Sequence, residues 1–180
     1  MTVLTVKKVR YNIMGYTHYW EIKPTVNKKQ YKLALAKIRE LIELYKHKIP
    51  VGNTAGGYYS EYTEEILAGG HGEKPIKKSE YRTWISFNGL GDMSHETFSL
   101  PSTALKDTGF SFCKTARKPY DVIVVASLAI LKHYLADEFK FTSDGSIEDL
   151  IDGFKLAQSL LPEIDFYNVF LDITPRFKNG

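Results

Sequence analysis

The chain has 180 residues, 43% of them hydrophobic and 25% charged, a balance that excludes a disordered chain and predicts one globular domain able to bury a core. A formal net charge of +3 and a pI near 8.8 exclude a face-wide duplex nucleic-acid surface, so any basic partner site has to be local. Cys113 is the only cysteine, which rules out an intramolecular disulfide framework and, without a charged-then-apolar leader, sets the expectation of a reducing cytoplasm.

Residues 1–13, with Lys7, Lys8 and Arg10, are expected to form an N-terminal extension or first strand, residues 14–175 the domain, and residues 176–180 a frayed tail. From 16 to 23 the residues alternate, with Tyr16, His18, Trp20 and Ile22 on one face and Thr17, Tyr19, Glu21 and Lys23 on the other, as in a strand. Pro24 closes it. Asn27 and Gln30 then give a capping-box-like start to a helix reaching about His47. Its stripe of Tyr31, Leu35, Ile38, Ile42 and Tyr45 predicts a helix lying on a sheet. Residues 50–79 break the pattern with two Gly-rich stretches around a short helical turn at 64–67. So long a connection reads either as a lid carrying Tyr58, Tyr59 and Tyr62 or as a permissive surface loop.

Residues 81–88 alternate as a strand, 89–92 form a turn and 95–100 a second hairpin strand, with 110–113 a further short strand. Pro119 suits the first position of a helix to about Leu135, apolar nearly all round and therefore the central packing element. Its longest apolar run, residues 122–131, includes Ser127 and is about half of the roughly 20 residues a membrane span requires, so no membrane partner is expected. Residues 139–142 read as a strand and Asp144-Gly145 as a turn. Ser146 and Asp149 cap an amphipathic helix carrying Ile147, Leu150, Ile151, Phe154 and Leu161, which Pro162 ends. Tyr167, Val169, Leu171 and Ile173 alternate as a closing strand. The sum is an α+β fold, a single domain whose antiparallel or mixed sheet packs against about three helices.

The chemistry-bearing residues gather in two places. Lys114, Arg117 and Lys118 crowd the start of the apolar helix, where free N–H groups and the helix dipole already carry positive charge and where cations cost stability unless an anion sits among them. Thr115, Tyr120 and Asp121 complete a candidate cradle, in which Arg would grip a phosphate through two parallel bonds and Lys would add a point charge. The alternative is that these side chains face water or pair with the acids at 61–65, Glu96 or Asp144. Neither the GxxxxGK[ST] nor the GxGxxG spacing is present, so no nucleotide fold and no cofactor are assigned. The second place is the face of Tyr16, His18 and Trp20, where a histidine between aromatics either stacks against a base and carries a proton or is a core histidine bonded to a carbonyl. Cys113, with His18 or His95 as base, is a nucleophile candidate beside the reading of simple buried packing. His71 and His95 lie near acids, but HExxH and cysteine clusters are absent and no metal is expected. Twelve tyrosines, ten phenylalanines and two tryptophans are expected to fill the core for the most part, with some left as surface platforms.

The segments GYTHYW at 15–20 and FCKTARKPYD at 112–121 resemble a family of small uncharacterised bacteriophage and viral proteins, with WISFNG at 84–89 and SDG at 143–145 as further markers. In that family the chain would open at the Met-Gly corresponding to Met14-Gly15. The resemblance implies a viral origin and a host-cytoplasmic setting. Three functions are expected to compete. The first is a binding protein for a phosphate-bearing, nucleotide-like small molecule, sequestering a host defence signal. The second is an enzyme acting on a phosphodiester or nucleoside, with His18 as acid and base and with Lys114 and Arg117 stabilising charge. The third is a single-stranded nucleic-acid or protein-partner module using Lys7, Lys8, Arg10 and the lysines of 74–78.

Overall fold

In the computed structural model, which describes residues 16–46, 48–50, 59–61, 67–82, 84–101, 109–165 and 169, the alternation that starts at Tyr16 becomes β1 (Thr17–Ile22). Helix α1 (Lys28–Tyr45) follows, its Asn27 side chain accepting from the N–H groups of Lys29 and Gln30. A two-stranded ladder pairs β2 (Lys48–Pro50) with β3 (Tyr59–Glu61). Then come β4 (Leu67–Gly69), β5 (Lys74–Pro75), α2 (Lys78–Arg82), β6 (Ile85–Gly89) and β7 (Phe98–Leu100). The chain continues as β8 (Phe110–Lys114), α3 (Asp121–Leu135), β9 (Phe139–Ser143) and α4 (Ile147–Leu160). One sheet has the order β8-β1-β9 and another β5-β4-β6-β7, and every ladder among the described residues is antiparallel. The fold is α+β.

Helix α3 is apolar around its whole circumference because it is covered on every side. Ile123 to Leu131 are all buried, with α1 and α4 packed on it and β9 alongside. The approach of α4 is close enough that a Cβ on Gly153 would come within 2.4 Å of Val125 Cγ1 and 3.0 Å of the Val122 carbonyl oxygen. At its C-terminal end Lys132 Nζ donates to the carbonyls of Ala136 at 2.9 Å and Phe139 at 3.2 Å, a cationic cap on the negative end of the helix. The capping box of α4 forms as the sequence predicts, with the Ser146 side chain accepting from Asp149 N and the Asp149 side chain accepting from Ser146 N.

Several boundaries differ from expectation for physical reasons. The stretch 50–79 is not one loop, since β4 and β5 lie within it; strands of two or three residues are too short to show a period. Of the helical turn expected at 64–67 only Leu67, which opens β4, lies within the described residues, and Tyr81 ends up in α2 rather than opening β6. Pro119 sits two residues ahead of α3 because successive turns, Lys118 N–H to Thr115 O and Asp121 N–H to Lys118 O, precede the helix. Helix α1 packs chiefly on α3 rather than on a sheet. In the expected closing strand at 167–173, Val169 donates its N–H to Asp165 O, a helical bond, and the rest of that segment lies outside the described residues. The extension at 1–13, the tail at 176–180, and Tyr58 and Tyr62 of the expected lid also lie outside them.

Candidate functional site

The three-stranded sheet has two faces built from alternate residues of the same strands. On the inner face, against α3, the cross-strand rows are Cys113–His18–Ser143 and Ser111–Trp20–Phe141, then Ile22 opposite Phe139. His18 is fully buried and both of its ring nitrogens are engaged. Nε2 lies 2.6 Å from Asp121 Oδ1 and Nδ1 lies 3.0 Å from Ser143 Oγ. A carboxylate only accepts, so Nε2 carries a proton, and the Ser143 hydroxyl is free to donate to Nδ1 because its oxygen accepts the Gly145 N–H at 2.9 Å. Thr115 Oγ1 donates to the same Asp121 oxygen at 2.5 Å. Serine, histidine and aspartate follow one another in the order of a hydrolytic triad. Here, however, Ser143, His18 and Thr115 are all buried, and the line ties the ends of β1, β8 and β9 to the first turn of α3.

Tyr16 closes this line from above, its ring edge-on to His18 with centroids 5.1 Å apart. Burial, followed by the nearby charges of Asp121 and Asp149, pushes its phenol far above the ordinary value. The hydroxyl lies near Ser143 without a properly formed hydrogen bond, and it packs so tightly on Gly145 that a Cβ there would stand 2.7 Å from it. The Arg117 guanidinium sits over the Tyr16 ring, 4.2 Å from its centroid. Arg117 and the preceding Ala116 both adopt left-handed backbone conformations, φ 56° and 51°, at a cost of about 1–2 kcal/mol for each L-residue. The turn is held by two N–H groups, Thr115 and Ala116, donating to the single carbonyl of Tyr16.

The sequence-predicted site therefore divides. Tyr16, His18, Thr115, Arg117 and Asp121 come together at one end of the sheet. Trp20 goes instead to the core against Phe98, and Tyr120 is buried with its hydroxyl on Glu96 O at 2.6 Å. Lys118 Nζ donates to the carbonyl of Asp92 at 2.8 Å. The partner of Arg117 is Asp149, at 2.9 Å, rather than any acid foreseen from the sequence. Burial alone would raise the Asp149 carboxyl, but the Arg117 hydrogen bond and the Ser146 N–H outweigh it and hold the group below its usual range. In the first turn of α3 the N–H groups of Asp121, Ile123 and Val124 already bond to the Lys118 and Tyr120 carbonyls, so the helix end offers fewer free donors than the sequence suggested.

The cysteine reading loses its basis. Cys113 is fully buried, its thiol pushed up to about 12 by burial, and Sγ donates to Glu96 O, while His95 is occupied by the Lys114 carbonyl at 2.7 Å. Among the described residues no three His, Cys, Asp or Glu side chains converge as metal ligands do, and no helix is long and apolar enough to cross a membrane.

The outer face is where sequence reasoning looked past the informative residues. Its rows are Lys114–Thr17, then Phe112–Tyr19–Thr142, then Phe110–Glu21–Lys140. Phe110 is 64% exposed and Phe112 54%, large apolar side chains turned to water on a regular strand. Tyr19 stacks at 24° on Phe110 with centroids 6.1 Å apart, and Phe110 meets Phe112 at 6.3 Å, so three rings form one continuous tile. The signal lay in FSFCK. Its alternation puts both phenylalanines on the same face as Lys114 and leaves the opposite face to Cys113, the reverse of a strand that hides its aromatics. Ser143 was legible in the same way, as a polar residue in the inward register of Phe139 and Phe141. No protein family, curated protein or solved structure matches this chain.

Proposed function

We propose that this protein binds a phosphate-bearing, nucleotide-like ligand at the Arg117 end of the three-stranded sheet. The observation that carries the reading is the presentation of Arg117. Two consecutive left-handed residues and a Tyr16 ring fix a partly exposed guanidinium in place, and strain of this kind persists only where the surroundings over-determine it. Asp149 takes an N–H from one guanidinium nitrogen, and a guanidinium has five N–H donors, which leaves a fork for an incoming phosphate. Lys114 stands at the same end on the outer face, one row from Phe112 and Tyr19, whose rings supply a stacking surface for a base. Binding is favoured over turnover because His18, the residue with acid–base chemistry, has both nitrogens occupied inside the core. A binder without turnover is suited to sequestering a nucleotide signal.

Thermal-shift titration with mono-, di- and cyclic nucleotides tests this directly. A ligand at a hundredfold over its Kd adds about 2.7 kcal/mol, which for a chain of this size is a rise of roughly 5–10 °C. The shift is expected to vanish in Arg117→Ala and to persist or grow in Asp149→Asn, which keeps the helix cap but removes the competing charge. No shift with any mononucleotide would refute the reading.

A further inference from the structure

We infer that the outer face of the β8-β1-β9 sheet is a platform for single-stranded nucleic acid, with bases stacked on Phe112, Tyr19 and Phe110 and phosphates taken up by Lys114 and Lys140. This deepens the preceding reading from one nucleotide to a strand and rests on it for the class of ligand, a phosphate-bearing nucleotide.

Three features specify the occupant. The rings lie on two adjacent strands, Tyr19 directly opposite Phe112 and Phe110 two residues along, and touch one another in a row; an array of this kind accommodates two or three successive bases. Around the rings the face is polar. Thr17, Thr142, Glu21 and Lys140 share its rows, and Asp144 accepts from the Thr17 N–H and the Tyr19 hydroxyl. A protein partner would need a broader apolar centre than three rings interrupted by charges, whereas bases need only ring faces and leave their edges to polar groups. The cations stand at opposite corners. Lys114 is in the Thr17 row on one edge strand and exposed Lys140 in the Glu21 row on the other. That is four residues along and two strands across, or roughly 16 Å between Cα positions, so the two lysines flank the tile at its ends rather than cluster.

Two cations predict a shallow salt dependence. Two phosphate contacts give a slope of about −1.4 in log K against log salt, close to a sevenfold loss between 50 and 200 mM. Glu21 on the same face keeps its net charge low, so stacking carries most of the affinity. Of the lysines of 74–78, Lys74 lies on β5 in a different sheet and Lys78 opens α2, so neither belongs to this face.

The experiment is fluorescence anisotropy with labelled oligodeoxyadenylates of one, two, three, five and ten nucleotides, with the ribo series alongside, on the full chain. Affinity is expected to rise up to about three nucleotides and then to level off, apart from the statistical gain of longer strands. Phe112→Ala and Phe110→Ala should each weaken the decamer by about 5- to 150-fold, the range for losing one base stack. Trp84→Ala, an exposed aromatic off the sheet, should leave binding unchanged. Because both phenylalanines are exposed, folding is not at stake, and circular dichroism checks it. A decamer that binds no tighter than AMP, or binding indifferent to both phenylalanines, overturns the inference while leaving the Arg117 pocket standing. Aromatic-dependent decamer binding without any AMP binding upholds the platform and removes the pocket. A slope steeper than about −4, or a dimer that Phe112→Ala dissolves and that binds no oligonucleotide, overturns the platform in favour of diffuse basic contacts or a second copy of the chain.

Discussion

The inner and outer faces of the three-stranded sheet share every strand and differ only in which alternate residues they use, yet they are built on opposite rules. Inside, each polar group of the His18 line has a designated partner, from Gly145 N–H through Ser143 and His18 to Asp121 and Thr115. Outside, Phe110 and Phe112 expose more than half their surface and meet each other and the Tyr19 ring. A satisfied network in low dielectric acts on stability, because the loss of one member strands the others. Exposed rings add little to stability and are available for binding. The same alternation that makes a strand thus separates a hydrogen-bonded inner line from a row of solvent-facing rings.

The largest expected effect is on the inside. Asp121→Ala leaves His18 Nε2 and Thr115 Oγ1 buried without their acceptor and is expected to cost about 3–5 kcal/mol in urea unfolding. A cost below about 1 kcal/mol would mean that water or backbone replaces Asp121, and the contrast between the faces would weaken. Next comes the layer behind that face. Gly153→Ala drives a methyl into Val125 and should lower stability by about 1–3 kcal/mol by forcing α4 off α3; an unchanged urea midpoint would show that the two helices slide apart freely.

How much of this was legible in the sequence depends on length of pattern. The inward set Tyr16, His18, Trp20 and Ile22, the Asn27 and Ser146 caps, the apolar α3 and the α+β class all follow from periods that repeat several times. The short strands β4 and β5 have too few residues to repeat anything. The pairing of His18 with Asp121, 103 residues apart, was hidden because strand order is not written locally. Arg117 was singled out for its charge, but its partner on α4 is a consequence of how α3 and α4 pack. The aromatic tile went unread because each phenylalanine alone resembles core; only the pairing of β8 with β1 reveals three rings on one side.

Smaller effects sharpen the contrast. Phe112→Ala is expected to change stability by less than about 0.5 kcal/mol, and a larger loss in a urea melt would make the ring part of the core after all. The smallest concerns acid. Asp149 is held below its ordinary value in the folded chain, so its contribution is present above the unfolded pKa of about 3.9 and fades as pH falls from there toward the lower folded value. Arg117→Ala removes a principal cause of that depression and should flatten the acid limb of a stability-versus-pH profile below about pH 5 by lowering the neutral plateau, by no more than about 1 kcal/mol because the pair is partly exposed, while the two proteins converge at the acid end. An acid limb of unaltered slope would assign the depression to the Ser146 cap alone.

The central claim is that the two faces of one sheet separate stability from binding, and it is tested most directly by measuring the decamer Kd and the urea midpoint together in Phe110→Ala/Phe112→Ala and in Ser143→Ala. The account predicts that the aromatic double variant loses at least tenfold in affinity at an unchanged midpoint, while Ser143→Ala loses about 1–3 kcal/mol of stability at unchanged affinity. An aromatic variant that binds like the wild type, or a Ser143→Ala protein that is stable but no longer binds, would contradict it.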